Sequence, residues 1–272
     1  MSNWSEGFIK ANDLNIHYHR TGEAGNPPLI LLHGVMDNGL CWTPVARDLQ
    51  AQFDVIMPDA RGHGKTGGSL ENFSYTQLAD DVMALIGALG LEKPVLYGHS
   101  MGAMTAVAVA ATYPDVVRAL VLEDPPFMGE ASHISDGNMP SPEMLQAFQE
   151  ILSLRTMSTE ERLDAARRIN PNWEEVELGP WADSKAEFDP GIFQHLQVTF
   201  PWREQLQTIT CAILLVTGDP AAGAIVTPQA AREAASLWHQ GEIIYIQGAG
   251  HCIHRDRYAE TMPQIQNFLS RI

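Results

Sequence analysis

The stretch Pro94-Val-Leu-Tyr-Gly-His-Ser-Met-Gly102 decides how the rest of the chain is interpreted. It starts as a short apolar run typical of a strand, turns through glycines with Ser100 at the apex, and continues into an alanine-rich segment that predicts a helix. A serine in such a sharp turn is strained and needs very small residues two positions before and after it, which Gly98 and Gly102 supply. The turn would place the Ser100 hydroxyl at a helix N-terminus, where developing negative charge is favoured. Ser100 is therefore the candidate nucleophile.

The size and composition of the chain indicate a folded α/β protein. Its 272 residues are 45% hydrophobic, which suits one large domain or one domain with an inserted subdomain. The net charge of −16 argues against nucleic acid and anionic membrane surfaces as partners, and it weakly favours neutral or cationic substrates over anionic ones. The sequence leaves monomer and homodimer both open.

The cysteines and the N-terminus give no sign of secretion or of metal binding. Cys41, Cys211 and Cys252 are widely spaced and form no C-x-x-C pair, so we predict neither a disulfide framework nor a zinc site. The first residues lack the basic and apolar regions of a signal peptide, and no apolar run approaches the length of a membrane span. We therefore expect a cytoplasmic location and no membrane partner.

Apolar runs alternate with helical patterns along most of the chain. Residues 8–19 predict a β-hairpin. Short apolar runs predict strands at 29–32, 95–97, 119–122, 211–216 and 243–246, and residues 53–57 predict a further strand despite Asp54. The runs at 29–32 and 119–122 are typical of strands buried on both faces. This alternation predicts a mostly parallel sheet covered by helices on both faces, with ligands bound at the carboxyl ends of the strands.

The alternation is interrupted between residues 127 and 208. This segment lacks a buried-strand pattern and shows helical patterns at 142–154, 159–169 and 192–199. We interpret it as a helical insertion, so that residues 1–126 and 209–272 form the core domain. The methionine, tryptophan and phenylalanine side chains of the insertion either line an apolar pocket above Ser100 or pack a small helical core of their own.

A serine nucleophile needs a base, and stabilisation of an oxyanion needs two convergent N–H groups. His251 is the best candidate base because it follows a predicted strand in the short loop Gly248-Ala-Gly-His251. The backbone N–H groups of Met101 and Val35, each placed just after a strand-end turn, are the candidate oxyanion donors. The nearby His254 is expected to be structural.

Four motifs in this order resemble the α/β-hydrolase superfamily. They are His33-Gly34, Asp59-x-Arg-Gly-His-Gly-x-Thr66, Gly98-His-Ser-Met-Gly102 and Gly248-x-Gly-His251. The resemblance covers nearly the whole chain and implies an eight-stranded sheet, a Ser–His–acid triad and no cofactor. It also implies that residues 127–208 form the cap, or lid. Haloalkane dehalogenases and epoxide hydrolases of this fold carry Asp at the elbow, so Ser100 disfavours both activities.

The acid of the implied triad is the point where the sequence departs from the family pattern. The position that matches the family's usual acid, after the seventh strand, is Ala221, and Asp219 is the only carboxylate in that loop. A minority of the family places the acid after the sixth strand, where Asp124 stands. We favour Asp124 and keep Asp219 as the alternative. Glu123 would face the other side of its strand.

These residues together predict a serine hydrolase of neutral, partly apolar carboxylic esters or lactones. Two alternatives stay open. One is hydrolysis of a C–C bond in a β-diketone-like substrate by the same triad, and the other is a ligand-sensing relative without enzymatic activity. Neither alternative changes the expected site, which consists of Ser100, His251 and Asp124 with the N–H groups of Val35 and Met101.

Overall fold

The computed structural model describes residues 4–23, 25–127, 149–195 and 200–272. Within these ranges, eight strands form one sheet in the order β1-β2-β4-β3-β5-β6-β7-β8. The strands are β1 (Ser5–Ala11), β2 (Leu14–Thr21), β3 (Pro28–Leu32), β4 (Asp54–Pro58), β5 (Val95–His99), β6 (Ala119–Glu123), β7 (Ala212–Thr217) and β8 (Gly241–Tyr245). Strand β2 pairs antiparallel with β1 and β4, whereas all the other neighbours are parallel. The predicted mostly parallel, eight-stranded α/β fold is confirmed.

Helices cover both faces of this sheet. In chain order they are α1 (Thr43–Leu49), α2 (Tyr75–Leu89), α3 (Met101–Thr112), α4 (Thr159–Ile169), α5 (Glu175–Glu187), α6 (Ile192–His195), α7 (Trp202–Thr208), α8 (Pro228–Leu237), α9 (Ile253–Asp256) and α10 (Tyr258–Leu269). Among the described helices, none combines the length and apolarity needed to cross a membrane.

Successive residues of the central strands point to opposite faces, and each face has its own core. Ile30 and Leu96 belong to the cluster beneath α2, α3 and α8, whereas Leu31 and Tyr97 belong to the cluster beneath α1 and α10. Because both faces are covered, the central strands are apolar at nearly every position, which explains the continuous runs in the sequence. The carboxyl ends of β3, β5 and β6 lie side by side at one edge of the sheet.

Helices α4 to α7 lie in the chain between β6 and β7. Leu154, α4 and α5 share a small apolar cluster that contains Trp181 and reaches Cys41 of the core. Helix α5, which contains Pro180, was not predicted. Only 149–154 of the predicted helical segment 142–154, and 192–195 of the segment 192–199, fall among the described residues. The chain ends in two helices, α9 and α10, which are separated at Arg257.

Candidate active site

Ser100 lies in the turn that joins β5 to α3. Its backbone angles are φ 52° and ψ −114°, a conformation that L-residues rarely adopt. The flanking glycines allow this turn because there is no room for a side chain at either position. A Cβ at Gly98 would lie 2.3 Å from backbone atoms of Gly102, and a Cβ at Gly102 would lie 2.0 Å from the Leu32 carbonyl oxygen. Helix α3 begins at the next residue, Met101, as the sequence predicts.

The Gly102→Ala variant is expected to lose on the order of 3 kcal/mol of unfolding free energy, because the added methyl group meets rigid backbone of β3 and the strand must move. Urea denaturation of the purified variant measures this loss. Gly87→Ala is the matched control, since a Cβ at this exposed position in α2 meets nothing within 4 Å. We expect the control to be slightly more stable than the wild type, because alanine favours helix. Equal stability of the two variants would contradict the steric argument.

The structure brings His251 and Asp124 together. His251 Nδ1 lies 2.6 Å from Asp124 Oδ2, and the carboxylate also accepts backbone hydrogen bonds from Ile225 and Val226 at 2.8 and 2.9 Å. A carboxylate oxygen accepts only, so the ring donates through Nδ1, and Nε2 is the ring nitrogen that takes no part in this bond. Asp124 is fully buried, whereas the His251 side chain is 32% exposed. The imidazole is thus fixed on one side and accessible on the other.

Ile225 and Val226 belong to the loop between β7 and α8, where the family's usual acid would stand. In this chain the loop supplies backbone donors to Asp124 instead of a carboxylate to His251. The Asp219 carboxylate of the same loop accepts from the Ala221 N–H at 2.9 Å and caps a short 3₁₀ helix. In the structure, therefore, the Asp124 carboxylate bonds the His251 ring, whereas the Asp219 carboxylate bonds within its own loop.

Glu123 faces away from this group, as the sequence indicates. Its buried carboxylate accepts a hydrogen bond from the Tyr97 hydroxyl at 2.6 Å and bonds the His254 ring nitrogen Nδ1 at 2.8 Å. The His254 ring stacks on Trp42 with a centroid separation of 4.6 Å. These contacts hold α9 against the sheet and leave His254 with a structural role.

Val35 lines the same pocket as Ser100, and Met101 follows Ser100 as the first residue of α3. Among the described residues, neither N–H has a hydrogen-bond partner, whereas the adjacent Met36 N–H is bound by His63 Nε2 at 3.1 Å. His63 accepts this bond as a neutral ring, since burial lowers its pKa to about 3. The bond between Met36 and His63 thereby holds the loop after β3, and the neighbouring Val35 N–H makes no such bond.

His99 was not assigned a role from the sequence, yet it supports His251 from behind. Its Nε2 donates to the His251 carbonyl oxygen at 2.9 Å, and the two rings lie 4.6 Å apart. Burial lowers the pKa of His99 to about 3, so this ring is neutral and places no fixed positive charge beside His251. In the sequence, only the place of His99 directly before Ser100 could have indicated this contact.

Ser100 and His251 both line one pocket of about 240 Å³ beneath α5. Its described lining is mixed. The apolar residues are Val35, Met36, Ile151, Ile169, Trp173 and Trp181, and the polar ones include Asp37, His99, Asn170, Lys185, Cys252 and Arg255. Trp181 also belongs to the cluster of α4 and α5, so the two roles considered for the tryptophans of this region are not exclusive.

Buried charges form part of the pocket wall. Lys185 from α5 donates to Asp37 Oδ1 and to the Met36 carbonyl oxygen, each at 2.8 Å, and Arg255 donates to Asp37 Oδ2 at 3.0 Å. Burial alone would raise the pKa of Asp37, but the charges of Arg255 and Lys185 outweigh it and hold the pKa well below its usual range. This network ties α5 to the loop that carries the Val35 N–H.

One group of side chains among the described residues could hold a metal ion. Glu6, His17 and His19, on the hairpin of β1 and β2, bring one ligand atom each within 4.8 Å of one another. The Lys65 ammonium already bonds the Glu6 carboxylate, and a cation there opposes metal binding. None of the three residues lines the pocket of Ser100.

The fold, together with Ser100, Asp124 and His251 at the carboxyl ends of its strands, identifies the class of protein. Residues 27–258 match the family model described as the alpha/beta hydrolase fold. This match covers most of the chain, and the protein belongs to the α/β-hydrolase family, as its motifs indicate.

Two relatives extend over nearly the full length of the chain and are hydrolases of different kinds. The N-formylmaleamate deformylase of Pseudomonas putida is 29% identical over 259 residues, or 92% of this chain and 91% of the relative. The 2-(acetamidomethylene)succinate hydrolase of Mesorhizobium japonicum is 27% identical over 91% of this chain and 90% of the relative. A crystal structure of E-2-(acetamidomethylene)succinate hydrolase matches with a TM-score of 0.80 at 20% identity, covering 98% of this chain and 100% of that one, and shows the shared fold.

Proposed function

We propose that this protein is a serine hydrolase that cleaves a carboxylic ester, including a cyclic ester, through an acyl-enzyme on Ser100. One observation carries the proposal. His251 is bonded through Nδ1 to the buried Asp124 carboxylate, and its ring shares a pocket with the strained serine. A base that a buried carboxylate orients, in the same pocket as a serine hydroxyl, is the set of groups that nucleophilic acyl transfer requires.

The first half of the reaction forms the acyl-enzyme. The Ser100 hydroxyl loses its proton to His251 Nε2 as Oγ bonds to the carbonyl carbon, and the carbonyl oxygen becomes an oxyanion. The N–H groups of Val35 and Met101 stabilise that oxyanion, and loss of one such donor costs about 100-fold to 1000-fold in rate. The C–O bond of the ester then breaks, and the imidazolium gives its proton to the departing alkoxide.

The second half returns the enzyme to its starting state. His251 takes a proton from water, the resulting hydroxide attacks the acyl carbon, and the Ser100 oxygen leaves with the proton from the imidazolium. Asp124 stabilises the imidazolium in both halves and stays ionised. Every proton that moves passes through the ring of His251, which its bond to Asp124 keeps in one tautomer.

The lining of the pocket supports a substrate with an apolar part. Ile151, Ile169 and the two tryptophans present apolar side chains within the same pocket as Ser100. Burying a small alkyl or aryl group against them contributes roughly 25 cal/mol for each Å² removed from water. A lactone satisfies the same requirement, since ring opening leaves the acyl group on Ser100 and the alcohol in the same molecule.

Hydrolysis of an N-acyl bond is the second candidate, and the names of two full-length relatives favour it. One is a deformylase of N-formylmaleamate and the other is a hydrolase of 2-(acetamidomethylene)succinate. The residues would act in the same order, with His251 giving its proton to a leaving nitrogen instead of an oxygen. The C–C hydrolase and the non-enzymatic sensor stay as the more distant alternatives.

A fluorophosphonate probe tests the common step of all the enzymatic alternatives. We expect one equivalent of probe to bond to Ser100, because the phosphonyl centre resembles the tetrahedral intermediate in shape and charge. Mass spectrometry of the digested protein locates the label. Heat-denatured protein is the control and should take up no label, since the activated serine exists only in the fold. Absence of labelling in the native protein would favour the sensor.

A substrate panel then separates the enzymatic alternatives from each other. Turnover of a 4-nitrophenyl ester and a γ-lactone, with no turnover of an anilide or a β-diketone, is the result expected for an esterase. Faster turnover of the anilide than of the ester would shift the assignment to N-acyl bonds, and selective turnover of the β-diketone would shift it to C–C bonds.

A further inference from the structure

Arg255 is the charged side chain nearest in sequence to His251 among the residues that line the pocket. It lies in α9, four residues after His251, and its side chain is 2% exposed. The guanidinium is 5.0 Å from the ring centroid of Trp173, which also lines the pocket. Its position is thus fixed by packing between the catalytic histidine's loop and the helical region above.

The hydrogen bonds of this guanidinium are incomplete. Nη2 donates to Asp37 Oδ2 at 3.0 Å and to the Cys41 carbonyl oxygen at 3.3 Å. Among the described residues, Nη1 and Nε have no hydrogen-bond partner, and Nε lies 3.6 Å from Glu177 Oε2. A buried N–H group of a cation that lacks an acceptor is costly, so a polar group that could serve as its partner is expected nearby.

Asp37 and Lys185, the charged residues nearest to Arg255 in the pocket lining, cannot supply the missing acceptor. Both Asp37 carboxylate oxygens are engaged, one by Lys185 and one by Arg255. The Lys185 ammonium has three acceptors of its own, Asp37, the Met36 carbonyl and the Ser184 hydroxyl, and so it needs no ligand. Lys185 and Arg255 therefore share Asp37, the only carboxylate in the described lining of the pocket. The N–H groups without an acceptor belong to Arg255.

Glu177 is the other acid close to Arg255. Both of its carboxylate oxygens are buried without a hydrogen-bond partner among the described residues, and it is not one of the residues that line the pocket. Burial raises the pKa of Glu177, although the charge of Arg255 acts in the opposite direction. Arg255 lines the pocket, and its Nη1 holds no hydrogen bond that an anion would have to displace.

We infer that Arg255 binds a carboxylate of the substrate through Nη1, so that the preferred substrate carries a free carboxylate in addition to the bond that Ser100 attacks. Arginine is suited to this role because its charge is permanent and its N–H groups match carboxylate oxygens. This inference rests on the proposed function and narrows its substrate class. It revises the prediction of a neutral substrate, which rested on the net charge of the chain and took no account of the charges inside the pocket.

A matched pair of substrates tests the inference. The mono-4-nitrophenyl ester of adipic acid carries a free carboxylate, and its methyl ester lacks it. We expect the wild type to prefer the acid, and we expect Arg255→Gln to lower the ratio of the two kcat/KM values by about tenfold to a hundredfold. Glu177→Gln is the control, because it removes a competing negative charge and should keep or increase the ratio. An unchanged ratio in Arg255→Gln would overturn the inference.

A binding measurement on Ser100→Ala keeps the test independent of turnover and of the folding of Arg255→Gln. Adipate should raise the melting temperature of Ser100→Ala, whereas adipamide at the same concentration should not. Equal shifts with the two compounds would overturn the inference. Ester turnover that survives in Ser100→Ala would instead overturn the proposed function, so the two failures give different results.

Discussion

Replacement of Ser100 by alanine is expected to reduce kcat for a 4-nitrophenyl ester by about 10⁴-fold to 10⁶-fold, the range found when a triad nucleophile is removed. The reason is that no acyl-enzyme can form without the hydroxyl, and only the oxyanion donors and substrate binding remain. Initial rates at saturating ester measure the effect. Alanine keeps the Cβ at position 100, so circular dichroism should show an unchanged fold. A folded variant with wild-type turnover would refute the acyl-enzyme mechanism.

Ser100→Gly is the control that separates chemistry from backbone strain. Both variants lack the hydroxyl and should be equally inactive, but glycine adopts φ 52° and ψ −114° without the steric cost that a Cβ imposes. We expect Ser100→Gly to melt at a higher temperature than Ser100→Ala. A lower melting temperature for the glycine variant would mean that the turn is not strained.

The sequence predicts the sheet because each buried strand is short, apolar and bounded by residues that end it. Residues 95–97 and 119–122 illustrate this, since both lie in strands with cores on each face. The prediction fails for α5, where Gly179-Pro180 suggests a break. Pro180 is nevertheless accommodated within the helix, whose Leu178, Trp181 and Ala182 are buried against neighbouring residues. Tertiary packing here outweighs the local helix propensity.

The sequence predicts only part of the candidate site, because some of its contacts join residues that are far apart in the chain. Ser100 and His251 each sit in a local motif that can be recognised by itself. The pair formed by Lys185 and Asp37 leaves no such signal, because nothing in the sequence around residue 185 indicates a partner 148 positions earlier. The hydrogen-bond partners of Arg255, Asp37 and Cys41, are also more than 200 residues away in the chain, so no local pattern predicts a buried cation in the pocket.

Asp124→Asn is expected to lower kcat by about 10⁴-fold, because an amide facing Nδ1 no longer holds the His251 ring in the reactive tautomer. The asparagine amide also cannot accept from both the Ile225 and Val226 N–H groups as the carboxylate does. Asparagine tolerates positive φ, so the φ of 42° at this position is not an added cause of damage. Turnover of the same 4-nitrophenyl ester measures the effect.

Asp219→Asn is the matched control, since it makes the same chemical change in the loop where the family's usual acid would stand. Its side-chain oxygen can still accept from the Ala221 N–H, which is the hydrogen bond that Asp219 makes. We expect turnover within about threefold of the wild type, because loss of charge on a capping residue has a small effect. The reverse pattern, with Asp219→Asn inactive and Asp124→Asn active, would require the β7–α8 loop to rearrange during catalysis. Asp124 would then be a buried anchor for that loop, and its bond to His251 would have no part in the proton transfer.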